Sequence, residues 1–507
     1  MTSRISCGCA CVLMLVLSNA LWAQPAVTTW HYDNTRSGAN TSETRLTPAN
    51  VNSKQFGKLF TQPVDGAIIG QALYLPNVTV GTGVHNVVYV ATMHDSVYAF
   101  DADNASGPNA APLWHTSFLS PGVTPVPIDL QGCGGTTKWA EVGVVSTPAI
   151  DPLTGTLFVA AKTYENSNFV YRLHALDVTT GAEKPGSPVV VEASFQFQGT
   201  QYNFQADQEV NRPALLLDNG TLYIAFGSNG CRNGQEQGWV LAYDASSLQL
   251  QGAFDDEPGM SGAAIWQKGG GLSADSAHNI YAETADGPFV PGSNFGESVF
   301  KLSPVTLNLT DWFTPANEAY LSKKDLDLTA PPLILPDQHG RYPHLALAVG
   351  KEGTIYVLNR DNMGHFCNKC KEDKIVDELP QFAGKETGNL VYWNNRLYTT
   401  PVNAPISVYS IKNGRIGKRA LAQSKTRAGG HPPVLSANGT SNGILWQTGA
   451  SHLLAFDANT LSLLYSTAQA RDGRDRLPSL PHFTNVAVVN GKVYVGTNDS
   501  LVVFGAL

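Results

Sequence analysis

The sequence predicts an all-β protein: an eight-bladed β-propeller of four-stranded antiparallel blades, closed by an N-terminal strand that completes the last blade. Three observations predict it. A β-rich run ending in an aromatic or aliphatic residue, often followed by Asp, recurs eight times. The composition is 43% hydrophobic and only 15% charged, with 48 Gly and 30 Pro, which suits a globular chain of short strands and many tight turns. Finally, the last repeat lacks an outer strand, and a β-like segment near the start can supply it.

The repeats read VYAFDA from Val97, LHALDV from Leu173, VLAYDA from Val240, VFKLSP from Val299, IYVLNR from Ile355, VYSIKN from Val408, LLAFDA from Leu453 and LVVFGA from Leu501. Their equivalent positions are Phe100, Leu176, Tyr243, Leu302, Leu358, Ile411, Phe456 and Phe504. Successive spacings are 76, 67, 59, 56, 53, 45 and 48 residues, blade-sized periods whose early excess predicts loop insertions. In the second unit the predicted strands are 144–150, 156–161, 170–177 and 188–192. DVTTG at 177–181 joins the last two: the Asp and Thr side chains satisfy turn amides and Gly accepts positive φ. In the last unit the strands fall near 485–489, at 492–496 and at 501–504, and residues 57–64 (GKLFTQPV) are the expected closing strand. Only 46–51 (LTPANV) reads as helical, with Thr47 as cap and Pro48 at the first position.

Residues 1–23 read as a secretory signal: Arg4, an apolar run over 10–17 too short to span a bilayer, and cleavage points after Ala20 or Ala23. The single propeller domain is then 24–507, secreted or periplasmic. Losing the signal removes Cys7, Cys9 and Cys11 and leaves Cys133, Cys231, Cys367 and Cys370, an even number that favours two disulfides. Cys133 and Cys231 fall in loops on the same face of neighbouring units and are expected to pair. Cys367 and Cys370, in HFCNKCKEDK, are expected to form a local disulfide; a redox pair or a zinc half-site with His365 is the alternative. The formal charge of −8 becomes −9 without Arg4, and an acidic chain without Lys/Arg blocks excludes nucleic acid and anionic membranes as expected partners. No later stretch reaches transmembrane length, and a monomer is expected.

The repeats resemble the pyrroloquinoline-quinone (PQQ) propeller repeat, a strand ending Tyr-Ala-Leu-Asp, a Thr-Gly turn and a blade-closing Trp. Residues 97–114, ending in Trp114, and 174–181 (HALDVTTG) carry that resemblance. Trp30, the pair Arg36 and Ser37, and LTPANV resemble quinoprotein starts. The mature chain is also similar to a group of secreted, uncharacterised bacterial propellers through HDSVYAFDAD, RLHALDVTTGAEK, GKEGTIYVLNRDNMG, SANGTSNGILW and NGKVYVGT.

For function the resemblance implies less than for fold. Quinoprotein alcohol dehydrogenases have adjacent cysteines, a calcium-holding carboxylate and amide, and an Asp base. No Cys-Cys pair exists after residue 24, the contexts of Glu141, Asn211 and Asp327 differ from the enzyme motifs, and CxxCH, HExxH, GxSxG and a Walker loop are absent. Gly269 to Gly271 reads as a bend beside a strand. The cluster Asp101, Asp103 and Asn104 reads as a turn, because Pro112 stands where a calcium loop requires Glu. A ligand is expected in the funnel where the inner strands begin, beside Trp139, Glu141, Asn211, Arg212, Trp266, Asp327 and His431. Glu141 and Arg212 are placed to pair, although charges there also serve to satisfy backbone groups. The leading expectation is a non-catalytic exported module, without cofactor, that binds or scaffolds a protein, peptide or glycan. The alternative is an oxidoreductase using PQQ with calcium, and after it a glycan hydrolase or lyase.

Overall fold

The computed structural model describes residues 25–131, 139–228, 236–262, 264–370, 372–449 and 451–507. The signal-like segment and the Cys133–Cys231 pairing lie outside the described residues. Eight antiparallel sheets form the ring. Their inner strands, blades 1 to 8 in order, are Leu73–Val80, Ala149–Asp151, Leu216–Asp218, Ser273–Ala274, Leu333–Ile334, Val391–Trp393, Val434–Asn438 and Val486–Val489. All eight repeat positions lie in third strands, and each is at most 2% exposed. The apolar repeat is therefore the layer by which neighbouring blades pack, and each such side chain contributes about 1.5–3 kcal/mol by leaving water.

Blade 2 follows the expected order, with Thr156–Glu165, Asn168–Asp177 and Val189–Val190 outside its inner strand. Its inner strand is shorter than expected, because residues before Ala149 run along the channel face without a ladder partner. The hairpin Ser194–Phe197 with Thr200–Asn203 is one insertion behind the long early repeats. The third-to-outer turns share one device: Asp101, Asp177, Asp244 and Asp457 each accept hydrogen bonds from backbone amides two and three residues on. Gly181 (φ +70°) ends one such turn, and a Cβ there would lie 2.4 Å from the Trp114 ring. Trp114 in turn donates from Nε1 to the Val178 carbonyl and so clamps blade 1 to blade 2.

Phe56–Pro63 pairs antiparallel with Ser500–Ala506 and completes blade 8, which abolishes the free edge at the seam. The expected helix at 46–51 is a correction: one turn forms, Val51 N donating to Thr47 O, and a second turn, in which Phe56 N donates to Asn52 O, leads into the closing strand. Asn50, rather than Thr47, supplies the side-chain cap, its Oδ1 accepting from Thr47 N.

The segment before this turn was expected only to resemble other proteins, yet it laces the whole ring. Val27 pairs with Tyr74 in blade 1, Ile150 donates to Thr28 O in blade 2, and Asn34 Nδ2 donates to Leu217 O in blade 3. Ala274, Ile334, Tyr392 and Leu435 of blades 4 to 7 donate to the carbonyls of Asn34, Thr35, Ser37 and Gly38. Asn40 Nδ2 closes the circuit on Val488 O of blade 8. The strap carries Trp30, His31 and Arg36, all buried, into the channel. Close approach explains the glycine run: a Cβ on Gly270 would meet the Trp30 ring at 2.7 Å, and one on Gly271 the Arg36 guanidinium at 2.8 Å. No described helix is long and apolar enough to cross a membrane.

Candidate functional site at the channel mouth

The residues that open the inner strands converge on one face and divide into three groups. The first surrounds a cavity of about 220 Å³ between blades 4, 6, 7 and 8, lined by Lys268, Asn389, Gly430, His431 and Phe483 among others. Lys268 reaches it because Gln267, Lys268 and Gly269 all take left-handed backbone conformations (φ 50°, 47° and 75°), a costly local geometry that turns the lysine inward. Its Nζ donates to Thr387 O at 2.7 Å and lies 3.9 Å from Glu386. Burial, opposed by Glu386 and reinforced by Lys351, pulls its pKa down to about 8. Asn389 is 1% exposed, and among the described residues neither of its amide atoms has a hydrogen-bond partner, nor does His431 Nδ1.

Arg212 stands beside this cavity. Its guanidinium lies 3.7 Å from the Phe483 ring centroid and 5.6 Å from that of Trp266. No carboxylate pairs with it among the described residues, and burial pulls its pKa down to about 9. The expected Glu141–Arg212 pair does not form, because Glu141 Oε1 meets His94 Nδ1 at 3.0 Å while Arg212 is held by the two aromatic faces. Asn211 is a backbone brace, its Nδ2 donating to Ala225 O at 2.8 Å and its amide N to the Tyr171 hydroxyl.

The second group lies between blades 4 and 5. Asp286, Glu297 and Asp327 bring carboxylate oxygens within 4.8 Å of one another. Asp327 Oδ2 is 2.5 Å from Lys351 Nζ, which Asp325 also contacts. Burial, then the Asp327 charge, pushes Glu297 up to about 9 and Asp286 up to about 7. For Lys351, burial alone would lower the pKa, but the Asp327 and Asp325 carboxylates outweigh it and raise it. Glu297 Oε2 accepts from Leu328 N, whereas Glu297 Oε1 and Asp327 Oδ1 are buried with no partner among the described residues. Burial keeps a proton on Glu297 at neutral pH, and a cation, which would displace that proton and complement the bare oxygens, is the natural ligand.

The third group, Trp139 and Glu141 with Asp65, Met93, Asn498 and others, surrounds a larger cavity of about 700 Å³ between blades 7, 8, 1 and 2. Of the seven funnel residues read from sequence, Trp139 and Glu141 therefore share one cavity; Arg212, Trp266 and His431 gather at the first; Asp327 joins the carboxylates; and Asn211 is structural. Lys268, Asn389 and Phe483 were missed, as were Asp286, Glu297 and Lys351. Phe483 was findable by the rule that gave the others, since it precedes an inner strand.

Elsewhere, Cys367 and Cys370 are disulfide-bonded with Cα atoms 5.4 Å apart. His365 is turned from them: its Nε2 meets Asp311 at 2.9 Å and its ring stacks on Trp312.

No protein-family model matches the sequence, and a search of curated proteins found no match. Solved structures do match. The fold is similar to quinohemoprotein alcohol dehydrogenase from Comamonas testosteroni, with TM-score 0.63 and 15% identity over 95% of this chain and 80% of that one. It is similar to quinohemoprotein alcohol dehydrogenase ADHIIG from Pseudomonas putida HK5, with TM-score 0.62 and 14% identity over 95% and 80%. A europium-containing methanol dehydrogenase gives TM-score 0.59 and 14% identity over 94% and 98%. The chain thus has the eight-bladed propeller fold of the PQQ-type dehydrogenases.

Proposed function

We propose that the protein is a cation-dependent, quinoprotein-type oxidoreductase that takes a planar polyanionic cofactor of the PQQ kind at the channel mouth. The observation that carries this reading is the pair of bare buried oxygens, Glu297 Oε1 and Asp327 Oδ1, in a three-carboxylate cluster. The residues present fit both groups. Asp286, Glu297 and Asp327 would hold a calcium-like ion with hard oxygen donors. Arg212, held against the Trp266 and Phe483 rings, and Lys268 would meet carboxylates of the cofactor. Such a cofactor, when bound, supplies the hydride-accepting carbonyl that no side chain offers. Lys351 fixes the Asp327 carboxylate, and Asn389 offers an unspent donor and acceptor. The chain departs from the alcohol dehydrogenases in lacking an adjacent cysteine pair, so a different contact must cover one face of the ring system.

The reading is preferred to the expectation of a non-catalytic scaffold, because a scaffold gives no reason to bury Glu297 and Asp327 with an unpartnered oxygen on each. We also propose that the protein acts outside the cytosol, where calcium is abundant; amino-terminal sequencing of the protein from cell fractions checks this. The decisive experiment titrates the metal-free protein with calcium and then with PQQ, following heat and melting temperature. Saturable calcium binding is expected to raise the melting temperature, because a ligand at one hundred times its Kd stabilises by about 2.7 kcal/mol. Asp327→Asn and Glu297→Gln, each still folded by circular dichroism, are expected to lose that response. Absence of any calcium effect in the parent protein, or an undiminished one in both variants, overturns the proposal.

A further inference from the structure

The 700 Å³ cavity lies on the arc of the ring opposite the carboxylate cluster, and nothing in the preceding reading uses it. We propose that it is a binding site for neutral saccharides, with Trp139 as stacking face and hydrogen-bond donor and with Asp65 and Glu141 as hydroxyl acceptors.

Three properties of the lining select that chemistry. Its charged members are Asp65 and Glu141, with no Lys or Arg, so phosphates, carboxylates and sulfated ligands are repelled. Apolar surface alternates with polar groups: Met93 (2% exposed), Trp139 and Leu480 stand beside Asn498, Ser479 and Ser451. A sugar ring presents the same alternation, an apolar C–H face edged by hydroxyls that both donate and accept. An extended apolar ligand would instead strand the carboxylates and the amide. Third, Trp139 Nε1 is screened from water and has no partner among the described residues. A ligand hydroxyl would satisfy that unspent donor after a side-chain adjustment of Trp139, since the atom is covered before the ligand enters.

The acceptors are held in place from behind. Thr92 Oγ1 donates to Asp65 Oδ1 at 2.8 Å and Ser96 Oγ donates to Asp65 Oδ2, which fixes the carboxylate without using all its lone pairs. Glu141 is oriented through one oxygen by His94 Nδ1 at 3.0 Å, and no described residue bonds the other. The volume lies within the range of about 300–1,000 Å³ typical of small-molecule sites, and the mouth is open, so a sugar within a longer chain can enter. The groups come from blades 7, 8, 1 and 2, so the site exists only in the closed ring.

The test is calorimetry and tryptophan fluorescence on the full mature chain with neutral oligosaccharides built from glucose, xylose, mannose or N-acetylglucosamine. Titrations are made in excess chelator, so the result does not depend on whether the carboxylate cluster takes a cation. At least one series is expected to bind saturably and to shift the fluorescence. Trp139→Ala and Glu141→Gln should each weaken it about tenfold or more, the equivalent of one well-made contact. Trp139→Phe, which keeps a stacking face and loses the donor, should fall between, and it preserves the test if the alanine variant does not fold. No binding in any series, equal affinity in the Trp139→Phe and Glu141→Gln variants and the parent, or binding confined to polyamines such as spermidine would each overturn the proposal.

Discussion

Trp30 is the residue through which the strap and the channel mouth are mechanically joined, and replacing it tests that connection. Its indole is fully buried, stacks on His31 at 3.4 Å and donates from Nε1 to Asn485 Oδ1 at 2.9 Å. Asn485 Nδ2 in turn donates to the carbonyls of Ile69 and Phe483, and Phe483 is a wall of the small cavity. In Trp30→Ala the lost side chain costs about 3–5 kcal/mol, because backbone on several sides prevents collapse into the space. The stranded Asn485 oxygen adds about 1–3 kcal/mol. These terms overlap, so a total of about 4–7 kcal/mol is expected. Trp30→Phe keeps a ring and loses the donor, and should cost about 1–3 kcal/mol. Equilibrium urea unfolding followed by circular dichroism gives both values, and the Lys268 cavity should lose affinity in the same order. A cost below about 1.5 kcal/mol for the alanine variant, or a phenylalanine variant as damaged as the alanine one, would show that the strap merely rests in the channel.

Three other expectations follow from the same structure. Gly181→Ala forces a Cβ into a left-handed turn against Trp114, and should destabilise by about 2–4 kcal/mol from backbone strain plus overpacking, read by urea unfolding. Burial pushes Asp255 up to about 7, against the Glu257 amide that donates to it. The folded pKa exceeds the unfolded one, so this group's contribution is present below about pH 4 and is lost as pH rises through 7; Asp255→Asn should raise the melting temperature at pH 8 relative to the parent and not at pH 4. Replacing both Cys367 and Cys370 by serine opens a very short loop and should cost about 2 kcal/mol by closure entropy. The same double variant should leave the calcium titration unchanged, since neither the cysteines nor His365 belongs to the carboxylate cluster; altered calcium affinity would show coupling through Phe366, which packs on Phe289 in the loop that carries Asp286 and Glu297.

Much of the ring was legible because each blade repeats one physical solution. The apolar position in every third strand and the Asp that satisfies the following turn recur in sequence, so the eight units could be counted without a partner strand in view. The closing strand was legible by subtraction, since the last unit stops one strand short. The strap was not, because residues 27–40 follow no period: their partners come one from each blade, in an order only the closed ring defines. The carboxylate cluster was half legible. Asp327 precedes an inner strand and was found by position, but Asp286 and Glu297 sit in a long loop of the neighbouring blade, and their juxtaposition is a matter between sheets. Lys268 was concealed by its glycines, which read as a bend; the bend proved to be the device that aims the lysine. Glu141 and Arg212 were rightly placed on one face but wrongly paired, since sequence shows charge and not the aromatic surfaces that compete for it.

The seam in blade 8 joins residues 56–63 to residues 500–506, and this has a bearing on how the chain matures. Until residues 500–506 emerge, the nascent polypeptide holds two unsatisfied strand margins, at 56–63 and at 492–496, more than four hundred positions apart. A pause in synthesis before that point leaves both margins able to recruit strands from other molecules. The circle is therefore closed late, by one strand that must join an early-made segment to a late-made one.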